Sequence, residues 1–232
     1  MKKFLLFTGL FAMAVMLGGC GKEPVPDPDP DPDGPDVPAA QYKVGDYYNE
    51  GLLKGIVFNV DETGEHGYIL ALDEKVAAWS YRDESVMNGV PATNGDYNCA
   101  LVQLMPDWQE YYPGFLWAYS KNPFGLDNWY VPSSQEMALI YEAYTGQAPA
   151  AGDDEAVLSL AASDDAAANK AWFNGCLTSN GGTALDDILY WTSGEIGPTL
   201  AYVFDMSTGM NCLDQERIGK SNEYPFRAIS RF

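Results

Sequence analysis

The segment 24–38, PVPDPDPDPDGPDVP, sets the firmest limit on what this chain can form. Each proline fixes its own φ, lacks an amide donor and pushes the residue before it toward extended backbone. Neither a helix nor a central strand passes through such a run. What remains is polyproline II, stretched further by the like charges of the aspartates. About twenty residues at ~3.1 Å each span roughly 60 Å. Asp29–Gly34 also spells the D-x-D-x-D-G opening of a calcium loop. Such a loop needs flexible ligands and a bidentate Glu at its twelfth position, and Ala40 stands there instead. The segment reads as a stalk.

Upstream, Lys2 and Lys3 precede FLLFTGLFAMAVML (residues 4–17). This uncharged run has signal-peptide length and is short for a mature membrane span. It ends in LGGC, which resembles the lipobox of bacterial lipoproteins, whose cysteine takes the lipid and becomes the first mature residue. Here that is Cys20, with Gly18 a less usual residue at its place. A buried helix with a stray cysteine explains neither the lysine pair nor the abrupt change to Pro and Asp. Gly21-Lys22-Glu23 is similar to the Lys-plus-acid signals that send Bacteroidetes lipoproteins to the outer face of the outer membrane, with a single acid before Pro24. The expected organisation is a signal peptide over 1–19, lipidated Cys20 and stalk over 20–41, and one domain over 42–232. The lipid alone holds it at the outer membrane, facing outside the cell, with the periplasmic face as the alternative.

Residues 42–232 are long enough for one well-packed domain, and no second linker interrupts them. The chain carries a formal net charge of −20, and losing Lys2 and Lys3 with the signal peptide makes the mature form more acidic still. That argues against nucleic acid and anionic lipid surfaces as partners. With Cys20 lipidated, Cys99, Cys176 and Cys212 remain. An exported domain meets oxidising conditions, so one disulfide, with Cys176–Cys212 the first choice, stands beside three buried free thiols as equal readings.

GIVFNV (55–60) and GYILAL (67–72) are short strand-like runs joined by DETGEH, a natural hairpin connection. A polar stretch follows through Gly95. NCALVQLM and the WQEYYPGFLWAYS region have helix-like spacing broken by Pro106 and Pro113. In VPSSQEMALIYEAYTG, Ser133 and Glu136 form a capping box, Met137, Ile140, Tyr141 and Tyr144 share one face, and Gly146 is placed to end the helix. DDAAANKAWFNGCL reads as a second helix. LYWTS, TLAYVFDM and YPFRAISRF are strands, and the alternation in TLAYVFDM predicts two unlike faces. Strands at both ends with helices between them predict an α+β domain whose terminal strands share a sheet.

Motifs for chemistry are sparse. His66 is the single histidine and falls in the hairpin turn, which removes designs needing several imidazoles. GKS (219–221) has Asp214 where a phosphate loop needs glycine, and no strand–loop–helix surrounds it. The pairs at 153–154, 164–165 and 186–187 leave a carboxylate-dependent hydrolase open, although such pairs commonly favour loops and first helical turns. Six tryptophans and fifteen tyrosines are the richer signal. Exposed, they stack on sugar rings; buried, they supply apolar area. Trp108, Tyr111, Tyr112, Trp117 and Tyr119 cluster about Pro113.

Three segments together point further. DNWYVPSSQEMALIY resembles the W-Y-L-P-S-x-x-E-L block of the domain family named for the C-terminal domain of the Legionella collagen-like adhesin. NGGTALDDILYWTSGE resembles its G-G-x-x-L and Y-W-S-S-x-E, and YPFRAISRF its closing V-R-A-V-R-x-F. The leading hairpin is similar to that of Bacteroidetes members, so the resemblance spans nearly all of residues 42–232. It implies a C-type-lectin-like fold, related to sulfatase-modifying enzymes and the Fibrobacter major paralogous domains, with short antiparallel strands, two main helices and long loops. Trp129, Pro132, Glu136, Trp191, Ser193, Glu195, Arg227 and Phe232 match the pattern and are expected to determine the fold. The expected contact is a desolvated ion pair of Glu136 or Glu195 with Arg227. Thr192 and Gly194 depart from the pattern, the calcium-lectin motifs E-P-N and W-N-D are missing, and so is the cysteine pair of the formylglycine-generating relatives.

A fold of this kind is a scaffold and leaves function to its sites. The leading expectation is a lipid-anchored, surface-displayed binding module for a glycan or a surface protein, with no catalytic residue, cofactor or metal. Its contacts are expected in loops 81–98 and 105–127, through Trp108, Tyr112 and Trp117. The alternative is a structural or accessory subunit of a fimbrial or polysaccharide-uptake assembly.

Overall fold

The computed structural model describes residues 41–86, 93–122, 128–147 and 164–232. The segments expected to be a signal peptide and a stalk, with Cys20, and the acidic pair at 153–154 lie outside the described residues. The domain is α+β, as expected. β1 (Tyr47–Glu50), β2 (Leu53–Val60) and β3 (Gly67–Ala78) form an antiparallel meander, and β7 (Glu223–Arg231) adds to β3, giving the order β1-β2-β3-β7. The terminal strands therefore share a sheet. β4 (Leu189–Glu195), β5 (Ala201–Asp205) and β6 (Met210–Cys212) make a second antiparallel sheet.

The hairpin between β2 and β3 is set by Asp61, whose Oδ1 accepts from the Thr63 and Gly64 amides and the Thr63 hydroxyl at 2.7–3.0 Å. This is an Asx turn, in which a short side chain replaces a backbone partner. His66 lies in this connection, as expected. β3 runs six residues beyond GYILAL, to Ala78. A register shift between Leu70 and Glu74 carries the polar Asp73-Glu74-Lys75 through the ladder. This part of the polar stretch that follows GYILAL is therefore strand, and the bulge absorbs the mismatch.

Among the described residues five helices connect the strands: α1 (Gly95–Gln103), α2 (Trp108–Tyr111), α3 (Pro113–Ser120), α4 (Ser134–Thr145) and α5 (Asp164–Ser179). Two are long, as expected, but the expected loop 105–127 is not open over 105–122, where α2 and α3 occupy most of the chain; 123–127 lie outside the described residues. Pro113 starts α3 rather than breaking it, since the missing amide at a first helical position is an orphan anyway. The capping box of α4 is complete: the Ser133 Oγ accepts from the Glu136 amide at 3.3 Å, and Glu136 accepts from the Ser133 amide at 2.8 Å. Gly146 closes α4 at φ +72°, a left-handed conformation that glycine takes without strain. Met137, Ile140, Tyr141 and Tyr144 are all buried, so the predicted face is the packed face.

α4 lies against β2, β4 and β5, with α5 packed on α4 and β2. α3 covers β3 and β7, and α1 covers β4. The seam between the sheets is a reciprocal tryptophan pair. Trp79, just past β3, donates its indole N–H to the Thr192 carbonyl in β4 at 2.9 Å, and Trp191 in β4 donates to Ala77 in β3 at 3.1 Å. Both rings are fully buried. β4 is buried along its whole length, and Val203 and Phe204, on opposite faces of β5, are both covered. The two faces of β5 differ less than the alternation predicted. The Cys176–Cys212 disulfide is not formed: Cys99, Cys176 and Cys212 are all free thiols. Burial holds the Cys99 and Cys176 thiols above their ordinary range, so neither is an activated nucleophile.

Candidate binding site

The motif residues lie in the interior and along its seams. Trp129, Trp191, Ser193, Glu195 and Arg227 are buried. The Pro132 carbonyl accepts from the Ser193 amide at 2.8 Å, and the Ser193 Oγ accepts from Asn98 at 2.9 Å. The Phe232 ring packs edge-on against Tyr42 at 5.3 Å and tilted against Tyr48 at 4.7 Å. Glu136 accepts from the Gly95 amide at 3.0 Å and the Tyr130 hydroxyl at 2.9 Å besides its capping contacts, which ties α1 to the entry of α4.

The expected ion pair needs correction. Arg227 pairs with neither Glu136 nor Glu195 but with Glu74 at 3.2 Å, directly across the β3–β7 ladder. Its Nη2 also donates to the Thr183 and Ala184 carbonyls at 2.7 and 2.9 Å. Cross-strand register, which spacing in sequence does not show, decides the partner. Burial raises the Glu74 carboxyl pKa, with Arg227 acting in opposition. Glu195 instead pairs with Lys220, and both side chains are sealed from solvent. The two oxygens of Glu195 accept from the Val86 amide at 3.0 and 2.9 Å, while Lys220 also donates to the Glu84 carbonyl at 2.9 Å and lies 4.6 Å from the Trp79 ring centre. Burial lowers the Lys220 pKa and the Glu195 partner opposes it. This node clamps segment 80–86 to the seam.

The loop aromatics are not arranged for stacking. Tyr112 is 0 % exposed, wedged edge-on against Trp79 at 5.7 Å, and burial pushes its phenol up to about 12. It belongs to the core, because the break between α2 and α3 turns it inward. Trp108 and Trp117 are partly buried against the core. Trp108 meets Tyr119 edge-to-face at 5.3 Å, and the Trp117 face is occupied by the Lys121 ammonium at 4.5 Å. Lys121 is held in turn by Asp73.

Two of the concavities among the described residues bear on binding. The larger is an open groove of ≈ 580 Å³ at the junction of the sheets. Val76 from β3, Ile188 and Leu189 at the start of β4, and Tyr224 and Pro225 from β7 give it an apolar lining; Asp187, Asp205, Glu223 and Arg217 stand with them. Val76 is 54 % and Ile188 46 % exposed. Two of the three carboxylates are already engaged. Asp187 pairs with Lys170 at 2.6 Å, and the Asp205 Oδ1 accepts from the Ser207 amide and hydroxyl at 2.9 and 2.6 Å. The smaller pocket, ≈ 360 Å³, borders Trp172 on α5. Of the six tryptophans this is the exposed one, and the sequence reading placed it in a helix without singling it out. Its neighbours Ala171 and Phe173 give no facial signal: a helix that packs on two elements has no clean apolar stripe. Among the described residues no group of three or more His, Cys, Asp or Glu is arranged to hold a metal, and no helix is long and apolar enough to cross a membrane.

No family model matches the chain, and no curated protein matches it in sequence. Among solved structures, a fimbrial protein from Bacteroides ovatus ATCC 8483 has a similar fold, with a TM-score of 0.54 at 18 % identity over 82 % of this chain. The chain spans about half that protein's length, 49 %. What is shared is an α+β architecture, at a distance where only the fold is common ground.

Proposed function

We propose that this chain is a non-catalytic, surface-displayed subunit of a fimbrial-type assembly, tethered through Cys20 and its acidic stalk and built on the lectin-like scaffold its motifs resemble. The groove between the sheets carries this reading. Val76 and Ile188 are half-exposed at one concave surface, where covering by a partner removes apolar area from water. With Asp187 neutralised by Lys170, Asp205 and Glu223 stand against Arg217, a slight acidic excess that suits a partner segment offering apolar side chains flanked by Lys or Arg. The fold shared with a fimbrial protein supports an assembly role. The competing reading, a glycan-binding module working through Trp108, Tyr112 and Trp117, loses support because those rings are packed or covered.

A charge placed on the groove floor tests the reading. With Ile188→Glu or Val76→Glu replacing the wild-type chain in its host, the protein is expected to fold and stay in the membrane fraction but to vanish from filaments sheared off the cell surface. Ile188→Glu appearing in sheared filaments at the wild-type level contradicts it.

A further inference from the structure

We propose that Trp172 and the pocket it borders form a saccharide-binding site that takes a neutral pyranose ring against the indole. The proposal does not depend on the assembly reading. Trp172 is 48 % exposed on α5, yet its ring is held in place. Gly45, at φ +93°, brings its backbone so close to one edge of the indole that a Cβ there would lie 2.5 Å from Cζ2. The Phe173 ring stands 6.2 Å away at 60°. A preorganised aromatic surface loses little side-chain entropy when a ligand settles on it.

The pocket, ≈ 360 Å³, falls in the size range of small-ligand sites, and its polar groups come from separate elements. Asn59 sits where β2 shifts register, Glu142 is in the last turn of α4, and Asn169 lies three residues before Trp172 on α5, hence on the same helical side. The Asn169 amide is oriented by donating to the Thr145 carbonyl at 3.1 Å. Two amides offer both donors and acceptors, and the carboxylate accepts. This is the set that ring hydroxyls need. The C–H face of a pyranose is slightly positive and meets the negative face of an indole. Charge selects among sugars: Glu142 in the pocket and a chain at −20 oppose sialylated, uronic or sulfated glycans. Sugars with all-equatorial substituents present the flattest C–H face, so gluco-configured β-linked chains are the expected class.

The test is calorimetric titration of the full chain in detergent with cellotetraose and chitotetraose, and with sialyllactose as the acidic control. At least one neutral probe is expected to bind. Trp172→Ala should weaken it by about tenfold or more, as truncation of an aromatic anchor does. Trp172→Phe should retain most of the affinity, and Trp108→Ala all of it. On the unmutated chain, the same sugar should slow oxidation of Trp172 by N-bromosuccinimide, a readout independent of folding in any variant. No binding of either neutral probe, wild-type binding by Trp172→Ala, unprotected Trp172, or tighter binding of sialyllactose overturns the proposal.

Discussion

Glu195 and Lys220 are sealed from solvent and form an ion pair with each other. Removing one charge from such a pair leaves the other stranded at a cost of about 3–5 kcal/mol, whereas replacing both with apolar groups costs far less. Glu195→Leu and Lys220→Met are therefore each expected to destabilise the domain by about that amount, with the double variant Glu195→Leu/Lys220→Met recovering much of the loss. Urea unfolding of the four proteins measures it; additive losses contradict it. The same residues show what sequence hid. Glu195 was legible as a motif position, but Lys220 sat in a GKS fragment that suggested only a failed phosphate loop. Partners 25 residues apart on different segments leave no spacing signal. Arg227 is a parallel case, since its partner Glu74 is visible only once β3 and β7 are in register.

At the level of elements, α4 was readable in full because its cap, its buried face and its terminating glycine agree with one another. Ser133→Ala should cost about 1 kcal/mol through the lost cap. Gly146→Ala should cost at least as much. It forces an L-residue to φ +72° and sets its Cβ 2.1 Å from the Asn169 amide nitrogen. Denaturation midpoints measure both, and a neutral Gly146→Ala contradicts the account of the α4 terminus. The tryptophan seam joins the two sheets. Trp79→Phe or Trp191→Phe keeps an aromatic ring but leaves the Thr192 or Ala77 carbonyl without its indole donor, for an expected loss of about 1–3 kcal/mol each. The far half of β3 was not legible, because its polar residues are tolerated by a bulge that only the paired strand reveals. The exposed Trp172 was missed for a similar reason: α5 shows no periodic face from which an outward ring would stand out.

Across the whole molecule, several tyrosines are held neutral by the fold. Burial pushes the Tyr112 phenol up to about 12, and a hydrogen bond to Glu50, with burial, does the same for Tyr42. Tyr130 and Tyr144 are raised as well, by burial first. The unfolded phenol ionises near about 10. Above that value the unfolded chain sheds protons that the folded chain keeps, so this stabilisation is complete below about 10 and is lost as pH rises through the folded values. Ultraviolet phenolate absorbance should rise in two stages, exposed tyrosines first, with the second stage coinciding with loss of the circular-dichroism signal. A single transition near the ordinary phenol value contradicts the packing described. The order of strand-like and helix-like segments sufficed to predict an α+β domain with its ends in one sheet. It did not show that a second sheet leaves a groove beside the first, because that groove arises from how two sheets meet. The claim that this chain serves assembly at the cell surface is tested most directly by immunogold electron microscopy of intact cells, with antibody raised against the folded domain. Gold on surface filaments, at their bases, is the predicted result; gold seen only after permeabilisation, or scattered over the membrane away from any filament, contradicts it.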